Sequence, residues 1–471
     1  MASRGSSKVA EDLCVFNGID GTTGDYLVPP MSAEEVLAIL TQRPYRPTQR
    51  AMMPGLDPRN LAESGWGVIF HRTADPAVHK ALGPLLRHRH QQAKERYREF
   101  TGTDGYRDGD DSDDFLSRFG MAPGPVNPKR MPYYLLIVGD PETIPYSFQT
   151  QLDVQYAVGR IWFDTPEQYA RYAESVVAAE KGAVTRERRF TLFGVRNRRD
   201  PATKMSADSL VKPLAKNLRR AEKSNGGWDV QTHLAATATK SRLGSIFQGE
   251  GSPALLFTAS HGMGFPNGDP RQLDSQGALL CQDWPGRGKG PVEPEHYFAA
   301  ADLPDDADVA GLVAFCFACH GGGTPRLDDF SHRNGWQPRE IAPRAFVSRL
   351  PQRLLAHPKG GALAVIGHVE RAWSHSFLWR TSDSQTEVFE STLGLLRDGY
   401  PVGAAMEYLN QRYAELSSLL TRMLQRIQTG ETIDPQRVSA LWTAQNDARS
   451  YVVVGDPAVR LAVSSASSTL K

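Results

Sequence analysis

The feature that most constrains this chain is a series of short, largely apolar runs separated by stretches of helical composition. Tyr134–Val138 (YLLIV), Val158–Phe163, Phe190–Val195, Asp229–Leu234, Ala254–Ala259, Gly311–Phe317 and Ala362–Ile366 all have strand length. Between them lie helical stretches at 166–180, with Thr165 as a fitting N-cap, at 207–223 and at 239–247. A strand that is apolar on both sides must be covered on both sides. Regular alternation with helices therefore predicts a mostly parallel sheet with helices on both faces. Trp66–His71 adds a strand upstream, and Tyr451–Gly455 closes the sheet or forms an edge. Ala77–Phe100 has helical composition in spite of Pro84, and its run Arg87 to Arg98 reads as a solvated charged face. Met406, Leu409, Tyr413, Leu416, Leu420, Met423 and Ile427 recur at three- and four-residue steps, which predicts one long helix packing its stripe on the core.

The remaining stretches bound the organisation. Residues 1–60, rich in Gly, Pro and Arg, read as an irregular arm with one short helical stretch around Ser32–Leu40. The segment 104–114 holds six aspartates but lacks the spacing and closing Glu of a calcium loop, so it reads as a solvated loop. With 54 Lys+Arg against 53 Asp+Glu, the chain has no basic excess for nucleic acid or an acidic membrane. Its start lacks the apolar core of a secretory signal, and no run approaches the roughly 20 apolar residues that span a bilayer. Its four cysteines, Cys14, Cys281, Cys316 and Cys319, are too few and too uneven for a disulfide framework. The expectation is a cytoplasmic protein with reduced thiols and no cofactor or metal.

Two of the apolar runs end in reactive residues. Ala254–Ser260 delivers His261-Gly262, and Leu312–Ala318 delivers Cys319-His320-Gly321-Gly322-Gly323. In open parallel sheets the functional crevice lies beyond the carboxyl ends of the strands. If these strands are neighbours, imidazole and thiol emerge side by side. That suits nucleophilic catalysis, because an adjacent imidazole raises the thiolate fraction and later protonates a leaving amine. Gly262 and Gly321 leave room for a sharp turn and for a substrate carbonyl, with the backbone N–H groups of Gly262 and Cys319 as an oxyanion hole.

These residues resemble the caspase-type (clan CD) cysteine peptidases, in which one strand ends in His-Gly and a later one in Ala-Cys-x-Gly. Ser260-His261-Gly262 precedes Ala318-Cys319-His320-Gly321 by about 58 positions, close to the caspase interval of roughly 50. Phe317 and His320 depart from the caspase pattern, so no preference for aspartate is implied. A closer resemblance is to the gingipain-like (C25) branch. It rests on Tyr134-Leu-Leu-Ile-Val-Gly-Asp140 with Ile144-Pro145, Asp153-Val-Gln-Tyr156, Val158-Gly159-Arg160, Gly361–Gly367 with Trp373, and Val454-Gly455-Asp456-Pro457.

The resemblance covers about residues 130–460 and implies an α/β caspase-like sandwich. Residues 60–185 would form the pocket side and 186–465 the catalytic side. It implies a cysteine endopeptidase with Cys319 as nucleophile and His261 as base, acting on protein substrates. By the same resemblance Asp153, in its Asp-x-x-Tyr context with Tyr156, would select Arg over Lys, and Trp373 would wall the pocket. Activation by a partner or an upstream protease is implied, as is a role in bacterial immunity. Arg271 or Arg287, in the long segment after Gly262, would be a self-cleavage site. The rival is an inactive caspase-like scaffold. Cys316-Phe-Ala-Cys319-His320 also matches the haem-attachment pattern, but it ends a buried strand and no second ligand pair supports zinc. Cys316 reads as an apolar core residue. His320 is expected to point away from the crevice, and His368 and His375 read as bland surface or core residues.

Overall fold

The structure, a computed structural model, describes residues 19–26, 56–225, 227–333, 337–379 and 384–464, with two-residue strands at 13–14 and 31–32. The helical stretch expected at 32–40 lies, beyond its first residue, outside the described residues, as does most of the expected arm.

One ten-stranded sheet organises the chain. In chain order its strands are β1 (Trp66–Phe70), β2 (Tyr97–Phe100), β3 (Tyr134–Val138), β4 (Ala157–Ile161), β5 (Arg189–Gly194), β6 (Asp229–Leu234), β7 (Leu255–Ala259), β8 (Val313–Phe317), β9 (Ala364–His368) and β10 (Tyr451–Gly455). Their order in space is 2-1-3-4-10-9-8-7-5-6. Every neighbouring pair is parallel except β9 and β10, which run antiparallel from Ala364↔Gly455 to His368↔Tyr451. Two parallel blocks of opposite sense therefore meet at the middle of the sheet. Helices cover it, as the doubly apolar strands require. The fold is α/β with a large, mostly parallel sheet flanked by helices.

The strands at 134–138, 229–234 and 451–455 match their expected ranges, and the others shift by one or two residues. The segment 77–100 departs from expectation. A helix at Pro76–Ala81 is followed by α1 (Gly83–Ala93), and the chain then turns at Lys94, with φ +53°, into edge strand β2. Phe100 packs edge-on against Phe115 and Phe119 while Tyr97 stacks on Trp66, contacts that a helix running on to 100 would forfeit. The charged run is not wholly solvated either. Arg89 is fully buried and bonds Glu180 of α2 (Pro166–Glu180) at 2.6 Å and Asp456, just after β10, at 2.7 Å. Asp456 also accepts from the Trp66 indole at 3.0 Å, so the first strand of the sheet is tied to the end of the last. At the start of α2, Gln168 accepts from the Thr165 N–H, and Thr165 is the N-cap.

Beyond β5, a helix begins at α3 (Pro201–Ser206) and continues through one wide turn into Lys212–Asn225. Near the end, α4 (Glu407–Gln428) realises the expected long helix, with Leu409, Leu416, Leu420 and Met423 buried. It packs against α5 (Pro435–Arg449), whose buried side includes Ser439, Thr443, Gln445, Asn446 and Asp447. The long segment after Gly262 is packed rather than open. It contributes Met263, Phe265, Leu280, Trp284 and Tyr297 to a small second core that also takes in Ile19 and Tyr26.

Candidate active site

Strands β7 and β8 are hydrogen-bonded neighbours with Ala259 opposite Phe317. His261 and Cys319 each lie two residues past that pair, so they leave the same edge of the sheet at the same level. The Ser260 N–H donates to Phe317 O at 3.2 Å, holding the two chain ends together beyond the ladder. Their closeness explains Gly262. A Cβ there would lie 1.7 Å from Cys319 O and 2.9 Å from Cys319 N, so only glycine fits. The N–H groups of Gly262 and Cys319 donate no hydrogen bond among the described residues.

The third member of the site comes from the neighbouring strand. β5 pairs with β7 with Gly194 opposite Ala259, so the loop after β5 reaches the same rim. Its first acid is Asp200, the N-cap of α3. Asp200 Oδ2 lies 2.8 Å from His261 Nε2, with both side chains fully buried. The same oxygen accepts from Thr203 N at 3.1 Å and Thr203 Oγ1 at 2.6 Å, while Oδ1 accepts from the Tyr26 hydroxyl at 2.9 Å. Burial alone would raise this carboxyl's pKa. The charge and hydrogen bond of His261, with the two Thr203 donors, outweigh it and hold Asp200 well below the usual carboxylate range. An ionised carboxylate can only accept, so Nε2 carries a proton, and in the neutral ring Nδ1 holds the free lone pair. Nδ1 is buried without a hydrogen-bond partner among the described residues. Trp284 at 6.3 Å and Tyr26 at 5.9 Å stand edge-on to the ring and fix its plane.

Cys319 is fully buried. Its Sγ accepts from the Ala372 N–H at 3.3 Å. Burial pushes the thiol up to about 12, and the Ala372 N–H and the nearby Arg371 charge reverse little of that. In this conformation the Cys319 thiol makes no hydrogen bond to His261 among the described residues. The chain after it is strained. His320 is a non-glycine residue at φ +56°, a conformation costing on the order of 1–2 kcal/mol. It is held by its own N–H donating to Glu370 O at 3.0 Å and by Ser348 Oγ donating to His320 O at 2.5 Å. The His320 ring faces Thr324 Oγ1 at 3.3 Å, and burial with the charges of Arg371 and His368 pushes its pKa down to about 3.

The other sequence-predicted residues take separate places, Trp373 one residue beyond the Ala372 N–H that reaches Cys319 Sγ. Trp373 is fully buried with Leu416, Leu420 and Met423 beneath α4 and α5, and its N–H donates to Asp447 Oδ1 at 2.8 Å. Asp153 and Tyr156 line a cavity at the start of β4 whose lining includes neither Cys319, His261 nor Asp200. His368 bridges the carbonyls of Glu370 and Asp447, at 2.9 Å each. Burial pushes His375 down to about 4 and Cys316 up to about 11. Arg271 pairs with Asp269 and Arg287 with Asp25, and Arg287 lies over the Tyr26 ring. Asp200 and Tyr26 were missed by sequence reasoning. For Asp200 a signal existed, since it is the first acid after the predicted strand 190–195 and stands before a proline at a helix start.

No family model matches the chain, and no curated protein does. Among solved structures it is similar to the Arg-specific cysteine proteinase gingipain R, at 11% identity and TM-score 0.47, covering 84% of this chain and 78% of that one. A structure described only as a protease matches at 15% identity and TM-score 0.47, covering 85% and 80%. The complex of the pro- and mature domains of RgpB from Porphyromonas gingivalis matches at 11% identity and TM-score 0.44, covering 84% and 79%.

Proposed function

We propose that the chain is a cysteine endopeptidase. The observation that carries this reading is the buried hydrogen bond from His261 Nε2 to Asp200, which turns the free Nδ1 lone pair of a residue level with Cys319 into the base. Cys319 Sγ adds to the peptide carbonyl as its proton passes to His261. The N–H groups of Gly262 and Cys319 hold the oxyanion, and His261 then gives the proton to the departing amine. Water adds to the thioester, losing a proton to His261, and expels the thiolate with the carboxylic acid product. Asp200 keeps the imidazole in the required tautomer and supports its positive form. Protein substrates, a preference for Arg over Lys and activation by a partner or a cleavage, at Arg271 or Arg287 if by the chain itself, complete the reading.

The buried, neutral thiol supports a latent state, since the Ala372–Trp373 segment must move before a substrate reaches Cys319. It also supports a second reading, an inactive scaffold in which Cys319 is only a packed core residue. Hydrolysis of fluorogenic peptides ending in Arg, Lys, Asp or Leu, compared with Cys319→Ala, tests the first. Cleavage after Arg that vanishes in the variant is the expected result. No cleavage, together with no labelling of Cys319 by a peptidyl electrophile, would overturn it in favour of the scaffold.

A further inference from the structure

The ten-stranded sheet ends at β6, and among the described residues that edge is open. The Asp229 N–H donates to Arg188 O at 2.8 Å, and β5 and β6 run parallel in unbroken register from Arg189↔Asp229 to Gly194↔Leu234. Backbone groups of successive strand residues point to opposite sides, so those of Asp229, Gln231 and His233 serve β5. Those of Val230, Thr232 and Leu234 face outward. Leu234 is closed off locally, since its N–H donates to Thr237 Oγ1 at 2.9 Å and its carbonyl accepts from the same hydroxyl at 3.1 Å. The N–H groups of Val230 and Thr232 have no partner outside the sheet among the described residues.

An open edge invites another chain, and strands discourage this with a proline, a bulge or charges of their own. β6 (DVQTHL) has no proline and no break in register, and its one carboxylate stands at its first residue. The charge lies instead on the helix Lys212–Asn225 beside it. Lys212, Lys216, Arg219 and Arg220 line a groove of about 440 Å³ against Thr232 and Leu234, and no acid lines it. All four cations are exposed. Arg219 is spent on the strand, donating to Thr232 Oγ1 at 2.8 Å and to Val230 O at 3.4 Å, and Lys212 pairs with Asp208. Lys216 and Arg220 have no ion-pair partner among the described residues. On the opposite face, burial and the charge of Arg242 both lower the His233 pKa. This concentration is local, because the whole chain carries 54 Lys+Arg against 53 Asp+Glu.

We propose that the β6 edge docks an extended acidic segment of a partner protein, which adds a strand to the sheet through Val230 and Thr232 and sets its carboxylates against Lys216 and Arg220. The spacing fits. Lys212, Lys216 and Arg220 recur every four residues, about 6 Å along the helix. Alternate side chains on one face of a strand recur about every 6.6 Å. Acids at every second position of the incoming strand therefore stay in step with the row of cations. The main-chain pairing gives affinity, and the charges select the sequence. The same row turns away a second copy of this edge, whose cations would face it. The inference stands whether or not the chain cleaves peptides.

The test uses the full chain and the fluorescence anisotropy of a blocked, labelled octapeptide of alternating Glu and Thr. It should bind saturably, with Kd below about 1 mM, and an octapeptide of alternating Lys and Thr should not. Lys216→Glu combined with Arg220→Glu, at exposed positions outside any ion pair, should weaken binding roughly tenfold or more. Thr232→Pro removes one outward N–H while leaving the groups that serve β5, and should weaken binding by a similar factor. Should that variant melt early, methylation of the peptide nitrogens puts the same question to the parent protein. Of two peptides methylated on alternate residues, one on the Glu and one on the Thr, one should bind and the other should not, since only one set of N–H groups faces the sheet. No saturable binding, binding unchanged by the charge reversal, or both methylated peptides binding like the parent peptide would overturn the proposal. So would equal affinity for single-stranded DNA or for a peptide with its Glu grouped at one end, because plain attraction to a polyanion needs no strand.

Discussion

Asp200→Asn tests the triad without dismantling it. The asparagine Oδ can stay on His261 and Thr203, which supply three of the four hydrogen bonds now made, and the Tyr26 hydroxyl can turn to accept from the new amide. What is lost is the charge facing the imidazolium. The least it can be worth is the difference between a charged and a neutral hydrogen bond, about 1–1.5 kcal/mol. The most is the Coulomb energy of the pair at its 2.8 Å separation, about 6 kcal/mol at an effective dielectric of 20. The asparagine dipole recovers part of that, which places the expected loss near 3 kcal/mol, or roughly a hundredfold in kcat/KM. The assay is steady-state hydrolysis of the best fluorogenic peptide, with the rate of electrophile labelling of Cys319 as the readout should the enzyme be latent. A thermal melt of each protein should show the variant folded. A folded variant with kcat/KM, or labelling rate, within threefold of the parent would refute the idea that Asp200 orients and supports the base.

Two further outcomes follow from the geometry. Gly262→Ala must separate the ends of β7 and β8, because its Cβ would lie 1.7 Å from Cys319 O; we expect a loss of about 1–3 kcal/mol in a denaturant titration and of roughly a hundredfold in kcat/KM. Burial raises the Glu180 carboxyl, but the Arg89 charge and hydrogen bonds from His88, Arg89 and Gln92 outweigh it and hold it at about 2 against an ordinary 4.5. A depressed carboxyl stabilises the fold above its unfolded pKa and loses that as pH falls, so stability should drop by roughly 3 kcal/mol between about pH 4.5 and pH 2. Glu180→Gln should be the less stable protein at neutral pH, and the gap should close across that window in urea melts; a gap constant with pH would refute the assignment.

The sheet was legible because strands buried on both faces carry their apolarity in nearly every residue, as in YLLIV and YVVVG. That His261 and Cys319 leave one rim of the sheet was legible because both apolar runs stop in a reactive residue close to glycine, and the strands that carry them are neighbours. Local pattern marks Asp200 as a helix N-cap, but that it faces His261 follows from the spatial order 8-7-5, which local pattern does not encode. Strand β2 was hidden because Tyr97-Arg-Glu-Phe100 continues a helical composition, and only the packing of Phe100 on Phe115 and Phe119 decides against it. Helix α5 was hard to read as amphipathic, since half of its ten buried positions are polar. Asp447, for example, serves the Trp373 N–H and the Ser376 hydroxyl. The docking of residues 19–26 was equally unreadable, because Tyr26 reaches Asp200 across 174 positions of sequence.

The place of β10 bears on how the molecule is made. It occupies the seam between the two parallel blocks, yet of the ten strands of the sheet it is the last to leave a ribosome. A nascent chain that has emerged only as far as α4 holds two half-sheets, one ending in β4 and the other in β9, each with an unpaired row of backbone donors and acceptors. Translation at about 5–20 residues per second would leave those edges bare for many seconds after His261 and Cys319 are both out. Synthesis itself thus sets an interval in which Cys319 exists but the sheet beside it is unfinished, and in which a chaperone able to cap a β-edge would have most to protect.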